Sequence, residues 1–287
     1  MNYVLIAIGY LPEYLKFIIN TILSIDKNSE IYLFSDTKSD IKNITNININ
    51  ELNTEILNEF KELNIYKNTI FEDNPLWITS VSRVFYLENI CKLLNIDKFI
   101  HFDNDVLVYK PYSELLENFD DTKFNITTAS EKNFIFGYSY VSRNSPLKEL
   151  SKSMLEIALY GVKQEWKFNH GKPYNEMNFL GAVHKKNNDL IHELPTLPYY
   201  TNTPFDPSSY GQFLDGTHLY PKNILSGKYI NLNEPIGIEL MSKRIKVKFL
   251  KNKPKVFWNE KSFDLANLHI HSKRFNKFLP KEYKNYI

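Results

Sequence analysis

The sequence holds a single cysteine, Cys91, in 287 residues. No internal disulfide can form, and one thiol cannot by itself build a zinc site, so redox-framework and zinc-finger readings go. Charge of one sign is also missing: 35 Lys and Arg stand against 33 Asp and Glu, a net +2. That is too balanced for a protein whose affinity comes from neutralising nucleic-acid phosphates. No apolar run approaches the roughly 18 residues of a membrane span, and no cationic stretch precedes the first apolar run, so a signal peptide is not expected. Internal repeats and a clean linker are absent as well. What is present is ordinary for a folded chain: 43% hydrophobic and 24% charged residues, enough to bury a core without staples. At roughly 150 residues per domain the length allows two small domains or one large one; without a linker, a single domain over 1–287 is expected, with halves 1–110 and 111–287. Charge is unevenly placed, since residues 251–287 carry nine Lys and Arg against three Asp and Glu. A solvated surface, a diphosphate pocket or peripheral contact with a membrane surface are the readings open for that tail.

The first 110 residues alternate strand and helix patterns. Residues 3–8 form an unbroken apolar run closed by Gly9, as in a strand buried on both faces. From Glu13, Leu15, Ile18, Ile19, Ile22 and Leu23 recur at helical spacing, and Glu30 to Ser35 reads as a second strand ended by Asp36. Residues 44–49 read as a half-buried strand, 52–63 and 81–94 as helices, and 98–102 as a strong strand running into Asp103. This predicts an α/β fold with a mixed, mainly parallel sheet flanked by helices. Beyond residue 110 the pattern loosens, with strands near 124–129 and 136–141, helices near 147–160 and 176–186, and a Pro- and Tyr-rich stretch over 194–213 that reads as loops. Residues 245–271 return to strand-like runs.

The segment KFIHFDNDVLVYKP, residues 98–111, carries the chemistry. An apolar strand delivers Asp103 and Asp105 at its carboxyl end, and their i, i+2 spacing lets two carboxylates meet one hard divalent cation with Asn104 directed away. The plainer alternative is a polar turn between strands. Near the C-terminus, LHIHSK (268–273) places His269 and His271 on one face of a strand with Lys273 directly after. Two carboxylates and an imidazole suit Mn²⁺, although either histidine could equally be an interior residue bonded to a carbonyl.

In this setting residues 98–111 resemble the DxD signature of glycosyltransferases with the Rossmann-like GT-A fold. The resemblance extends over roughly residues 1–185 and the C-terminal motif. It implies that Asp103 and Asp105 hold Mn²⁺ or Mg²⁺ against the diphosphate of a nucleotide sugar, with UDP-hexose the expected donor. Ala7, Ile8, Gly9 and Tyr10 after the first strand, and Asp36 after the second, fall where such enzymes cradle base and ribose, with Asn104 beside them. Arg83 in TSVSRVFYLENI matches the helix whose Arg steadies the nucleotide or the first Asp. NEMN (175–178) resembles the acceptor-side segment of glycogenin-like and related bacterial transferases. In such enzymes a late His completes the metal shell and a nearby Lys holds the diphosphate; His269 or His271 and Lys273 take these parts only loosely, because their spacing differs.

If the reaction inverts the anomeric carbon, a carboxylate such as Glu176 or Asp206 must act as base on the acceptor hydroxyl; retention requires none. The alternatives are that Glu176 serves its helix terminus electrostatically, that Asp206 forms an Asx-turn, and that Gln212 lines a loop. The implied setting is cytoplasmic glycan assembly such as polysaccharide biosynthesis, with a glycan or glycoconjugate acceptor. Two other readings compete. FIHFDNDVLV also resembles the haloacid-dehalogenase motif, in which Asp103 would be a nucleophile, but no later acidic pair with a preceding Lys follows. A non-catalytic nucleotide-sugar or glycan-binding protein on the same fold is the other.

Overall fold

The computed structural model describes residues 1–69, 71–219 and 227–285. β1 (Asn2–Ala7) leads into α1 (Leu15–Ile25), whose Leu15, Ile18, Ile19 and Ile22 are buried at the 3.6-residue period and form one apolar stripe. After β2 (Glu30–Ser35) and β3 (Thr45–Asn48), α2 (Glu55–Glu62) starts where Thr54 Oγ1 accepts the Leu57 amide. That cap explains why the helix begins three residues later than the periodicity suggests. α3 (Leu76–Leu87) and α4 (Ile90–Leu94) replace the single helix expected over 81–94. The start lies earlier, with Pro75 at the N-cap position and Asn74 Oδ1 accepting the Leu76 amide in the turn before it, and the break falls at Asn89, a residue whose side chain competes for helical backbone bonds.

β4 (Lys98–His101) and β5 (Val106–Val108) flank the Asp103–Asn104–Asp105 turn. β6 (Phe124–Ser130) and β7 (Asn133–Ser142) form a hairpin, followed by α5 (Leu147–Lys163), α6 (Glu176–Lys186) and β8 (Ile191–Leu194). The last third contributes α7 (Ser209–Phe213), α8 (Pro235–Met241), β9 (Lys246–Leu250), β10 (Lys253–Trp258), β11 (Lys261–Asp264) and β12 (Asn267–His269).

The architecture is α/β. Seven strands lie in the order β3-β2-β1-β4-β7-β6-β8; β1–β2, β1–β4, β2–β3 and β6–β8 pair in parallel, while β7 runs antiparallel to both neighbours. The sheet therefore continues across residue 110. Successive β1 side chains leave opposite faces: Tyr3, Leu5 and Ala7 enter the apolar cluster with α1, and Val4 and Ile6 the cluster with α2, α3, α5 and α6. Both faces are covered, which is why β1 reads as a continuous apolar run. Because β2 lies on one side of β1 and β4 on the other, the crossovers part at β1. A crevice opens there at the carboxyl ends of the strands, the usual ligand position in such sheets.

Candidate active site

The Asp-Asn-Asp turn is built by backbone bonds. Asp103 N–H donates to Phe136 O at 2.7 Å, and Val106 N–H donates to Asp103 O at 3.1 Å, reversing the chain so that Asp105 opens β5. Asn104 turns away from both carboxylates, donating from Nδ2 to Ile6 O at 2.8 Å. Its amide is thereby fixed, with Oδ1 buried and unpartnered in the wall of the crevice.

β12 pairs antiparallel with β5 in a register that sets His269 opposite Val106, and Ile270 N–H donates to Asp105 O at 2.8 Å. A sequence separation of more than 160 residues is closed by this short ladder. His269 Nε2 lies 2.9 Å from Asp105 Oδ1 and 3.6 Å from Asp103 Oδ2. The strand ends at His269 instead of running on to His271, yet the His271 ring still turns to the same place, with its centroid 4.3 Å from that of His269.

Among the described residues, the ligand atoms of Asp105, His269 and His271 lie within 4.8 Å of one another. Asp103 stands beside this trio, with Oδ1 held by Arg83 Nη1 and Oδ2 turned toward His269. Lys273 Nζ donates to Asp105 Oδ2. The donor set fits a divalent cation: carboxylates and imidazoles converge, and His269 Nδ1–H donates to Pro207 O at 2.9 Å, leaving Nε2 directed at the carboxylates.

Electrostatics follow from this crowding. Burial works against ionisation of Asp105, but His269 and then Lys273 outweigh it and hold the carboxyl well below the usual range. Burial likewise disfavours a charged His269, yet the Asp105 charge, with Asp103 behind it, lifts the imidazole to about 9. His271 is pushed down to about 3, by burial first and by the charge on His269 second.

Arg83 crosses from the metal-type cluster to the far wall. Its position on α3, three and seven residues after Ser80 and Leu76, puts all three on the face that lines the crevice. Nη1 meets Asp103, Nη2 donates to Glu176 Oε2 at 2.7 Å, and the guanidinium lies 5.0 Å over the Phe136 ring. Glu176 sits in the first turn of α6, where Asn175 Oδ1 caps the Asn178 amide. It is 5% exposed; burial pushes its carboxyl upward, against the pull of Arg83. Ser82, beside Arg83 in the chain, is buried and off the cavity wall.

The cavity has a volume of about 460 Å³, within the range of small-molecule sites. Ala7, Ile8, Tyr10, Asn104, Arg83, Glu176, Asp103, Asp105, His269, His271 and Lys273 all line it. Gly9 and Asp36 act one step removed: Gly9 N–H donates to both Asp36 oxygens at 3.0 Å, and its φ of +86° is a conformation that favours glycine. Asp36 thus ties down the loop whose neighbours form the wall. Tyr14, Ile135 and His218 also line the cavity and were not singled out from the sequence; nothing in their local patterns marks them.

Asp206, the other carboxylate expected as a base, is set apart from the cavity. Asp206 is fully buried and absent from the cavity wall. Oδ1 accepts Tyr210 N–H at 2.9 Å, and Oδ2 accepts Gly211 N–H at 2.9 Å and His269 N–H at 3.0 Å. These amides lie four and five residues on and on a distant strand, beyond the two residues of an Asx-turn, so Asp206 acts as a buried acceptor that ties the loop to β12. Part of the C-terminal basic excess is neutralised from elsewhere in the chain, since Lys273 pairs with Asp105. Among the described residues no helix is long and apolar enough to cross a membrane.

No protein-family model matches this sequence, and no curated protein does. Among solved structures, the chain is similar to mouse xyloside xylosyltransferase 1 in its apo form, at 13% identity and a TM-score of 0.44, covering 68% of this chain and 86% of that one. An active-site mutant of the galactosyltransferase LgtC aligns at 14% identity and a TM-score of 0.44 over 81% of this chain and 85% of its own. PaToxG glycosyltransferase aligns at 14% identity and a TM-score of 0.42, covering 65% and 69%.

Proposed function

We propose that this chain is a metal-dependent glycosyltransferase of the GT-A type, transferring a hexose from a nucleoside diphosphate, UDP by the sequence resemblance, to a hydroxyl of a glycan or glycoconjugate. The observation that carries the reading is the convergence of Asp105, His269 and His271, with Asp103 and Lys273 beside them, at the crevice between β1 and β4. Carboxylate with imidazole is a donor set suited to Mn²⁺, and Mg²⁺ is the alternative ion. When bound, the cation supplies charge neutralisation on the departing diphosphate.

The chain's own residues do the rest. Ile8, Tyr10 and Asn104 wall the nucleoside end, with Gly9 and Asp36 holding that loop in shape. Lys273 offers a mobile ammonium to the diphosphate once it leaves Asp105. Arg83 keeps Asp103 oriented and separates it from Glu176, so a half-buried and a buried carboxylate coexist on opposite sides of one guanidinium. Glu176, raised by burial, is the wall carboxylate available to take a proton from an acceptor hydroxyl if the reaction inverts. Thermal unfolding in a panel of UDP, UDP-hexoses and other nucleotides, each with and without Mn²⁺, tests the reading. A donor at about 100 times its Kd should add roughly 2.7 kcal/mol, and only with metal. Stabilisation by no nucleotide in Mn²⁺ would overturn it.

A further inference from the structure

The segment from Asp206 to Gln212 lies outside the cavity wall, yet it grips both histidines of the metal-type cluster. Pro207 O accepts His269 Nδ1–H at 2.9 Å, and the Gln212 side-chain amide meets His271 Nδ1 at 3.3 Å. Each ring is held through Nδ1: this leaves Nε2 of His269 facing the carboxylates, and at His271 the Gln212 atom in contact is the amide nitrogen. Asp206 anchors the segment: its carboxylate takes N–H groups from Tyr210 and Gly211 within it and from His269 on β12. Asn267 adds a second clasp, accepting Asp206 N–H at 3.0 Å and donating to Asp206 O and Gly137 O at 2.8 and 2.9 Å. Gly211 approaches the His269 carbonyl so closely that a Cβ would collide with it.

We propose that Asp206 and Gln212 are positioning residues that fix the plane and tautomer of the His269 and His271 imidazoles for divalent-cation binding. Asp206 sets the spacing between the loop and residue 269, and that spacing brings Pro207 O to Nδ1. Gln212 acts on His271 with its amide oxygen: a half-turn about the last side-chain bond exchanges oxygen for nitrogen at the same contact, after which Nδ1–H donates and Nε2 is the ligand atom. Outer-shell acceptors on metal-bound histidines govern ligand basicity and orientation, and their loss weakens metal affinity 10- to 100-fold. The inference rests on the metal reading above.

The test is Mn²⁺ binding followed by electron paramagnetic resonance on the full chain, with no turnover measured. Wild type must bind first; if it does not, the metal reading itself fails. Given binding, Gln212→Glu, which can only accept, should bind Mn²⁺ at least as tightly as wild type, and Gln212→Leu should bind about tenfold or more weakly. Asp206→Asn, which turns an amide group against backbone donors, should weaken binding at least as much as Gln212→Leu. Its folding loss is matched by Val256→Ala, a buried β10 position outside the cavity wall, which should keep wild-type affinity. Wild-type affinity in Gln212→Leu, or weakening by Gln212→Glu equal to that by Gln212→Leu, overturns the proposal even if Asp206→Asn fails to fold.

Discussion

Metal binding at this site should be coupled to proton release far more steeply than an ordinary histidine would allow. A cation can use His269 Nε2 only after the proton there has left, and the carboxylates of Asp105 and Asp103 hold that proton up to about 9. His271, pushed down to about 3, has none to lose near neutrality. One proton therefore competes with one cation. With the imidazole titrating near 9, observed Mn²⁺ affinity should rise roughly 90-fold between pH 6 and pH 8, about tenfold per unit or 1.4 kcal/mol each. An unperturbed imidazole near 6.5 would change it only about fourfold over the same interval. The sign is set by the folded site: neutral imidazole ligates, so affinity grows as pH rises toward 9 and levels above it. Isothermal titration at several pH values gives the slope, and repeating it in buffers of different ionisation enthalpy counts the protons, nearly one at pH 7. A fourfold change, or no proton released, would refute the account of how Asp105 and His269 share their charge.

Other expectations follow from the same geometry. Asp105→Asn should abolish measurable Mn²⁺ binding and lower turnover by about 10²-fold or more, read from metal titration and sugar transfer; near-normal transfer in EDTA would remove the metal from the mechanism. Arg83→Met leaves Asp103 and Glu176 facing each other without their shared cation and should cost about 3 kcal/mol of stability, with Arg83→Met combined with Glu176→Gln recovering part of it in urea unfolding. Lys273→Ala should weaken UDP binding about tenfold in Mn²⁺, and Lys273→Arg should restore only some of that; equal affinities across the three would dismiss the diphosphate role. Gly137→Ala would bring a Cβ within 2.6 Å of Pro207 O and should lower stability by about 1–3 kcal/mol, visible as a reduced thermal midpoint. Incubation with phosphorylated substrates should leave no aspartyl-phosphate on Asp103, and its detection by mass spectrometry would favour the phosphatase chemistry instead.

Much of the scaffold was legible in the sequence because it follows from local periodicity. The apolar run of β1, the 3.6-residue spacing in α1 and the strand running into Asp103 each depend on a few neighbouring residues, and a strand covered on both faces has few other places to go. The carboxylate pair was visible for the same reason: two aspartates two residues apart after a buried strand need no long-range information. Element ends were less legible, since the α2 start is set by a side-chain cap at Thr54, the α3 start follows Pro75, and the end of β12 is set by its partner β5.

What local pattern could not determine is which distant groups share a space. That His269 meets Asp105 depends on the antiparallel register of β12 on β5, a ladder three residues long between segments far apart in the chain. That Arg83 braces Asp103 against Glu176 depends on how α3 and α6 pack on the same face of the sheet. Asp206 shows the limit most clearly. In the sequence it is a carboxylate in a loop near aromatic residues, as fit for a base as for a turn. In the folded chain three backbone N–H groups converge on it in a fully buried place, and only that tertiary arrangement ties it to the backbone of a histidine and takes it off the cavity wall.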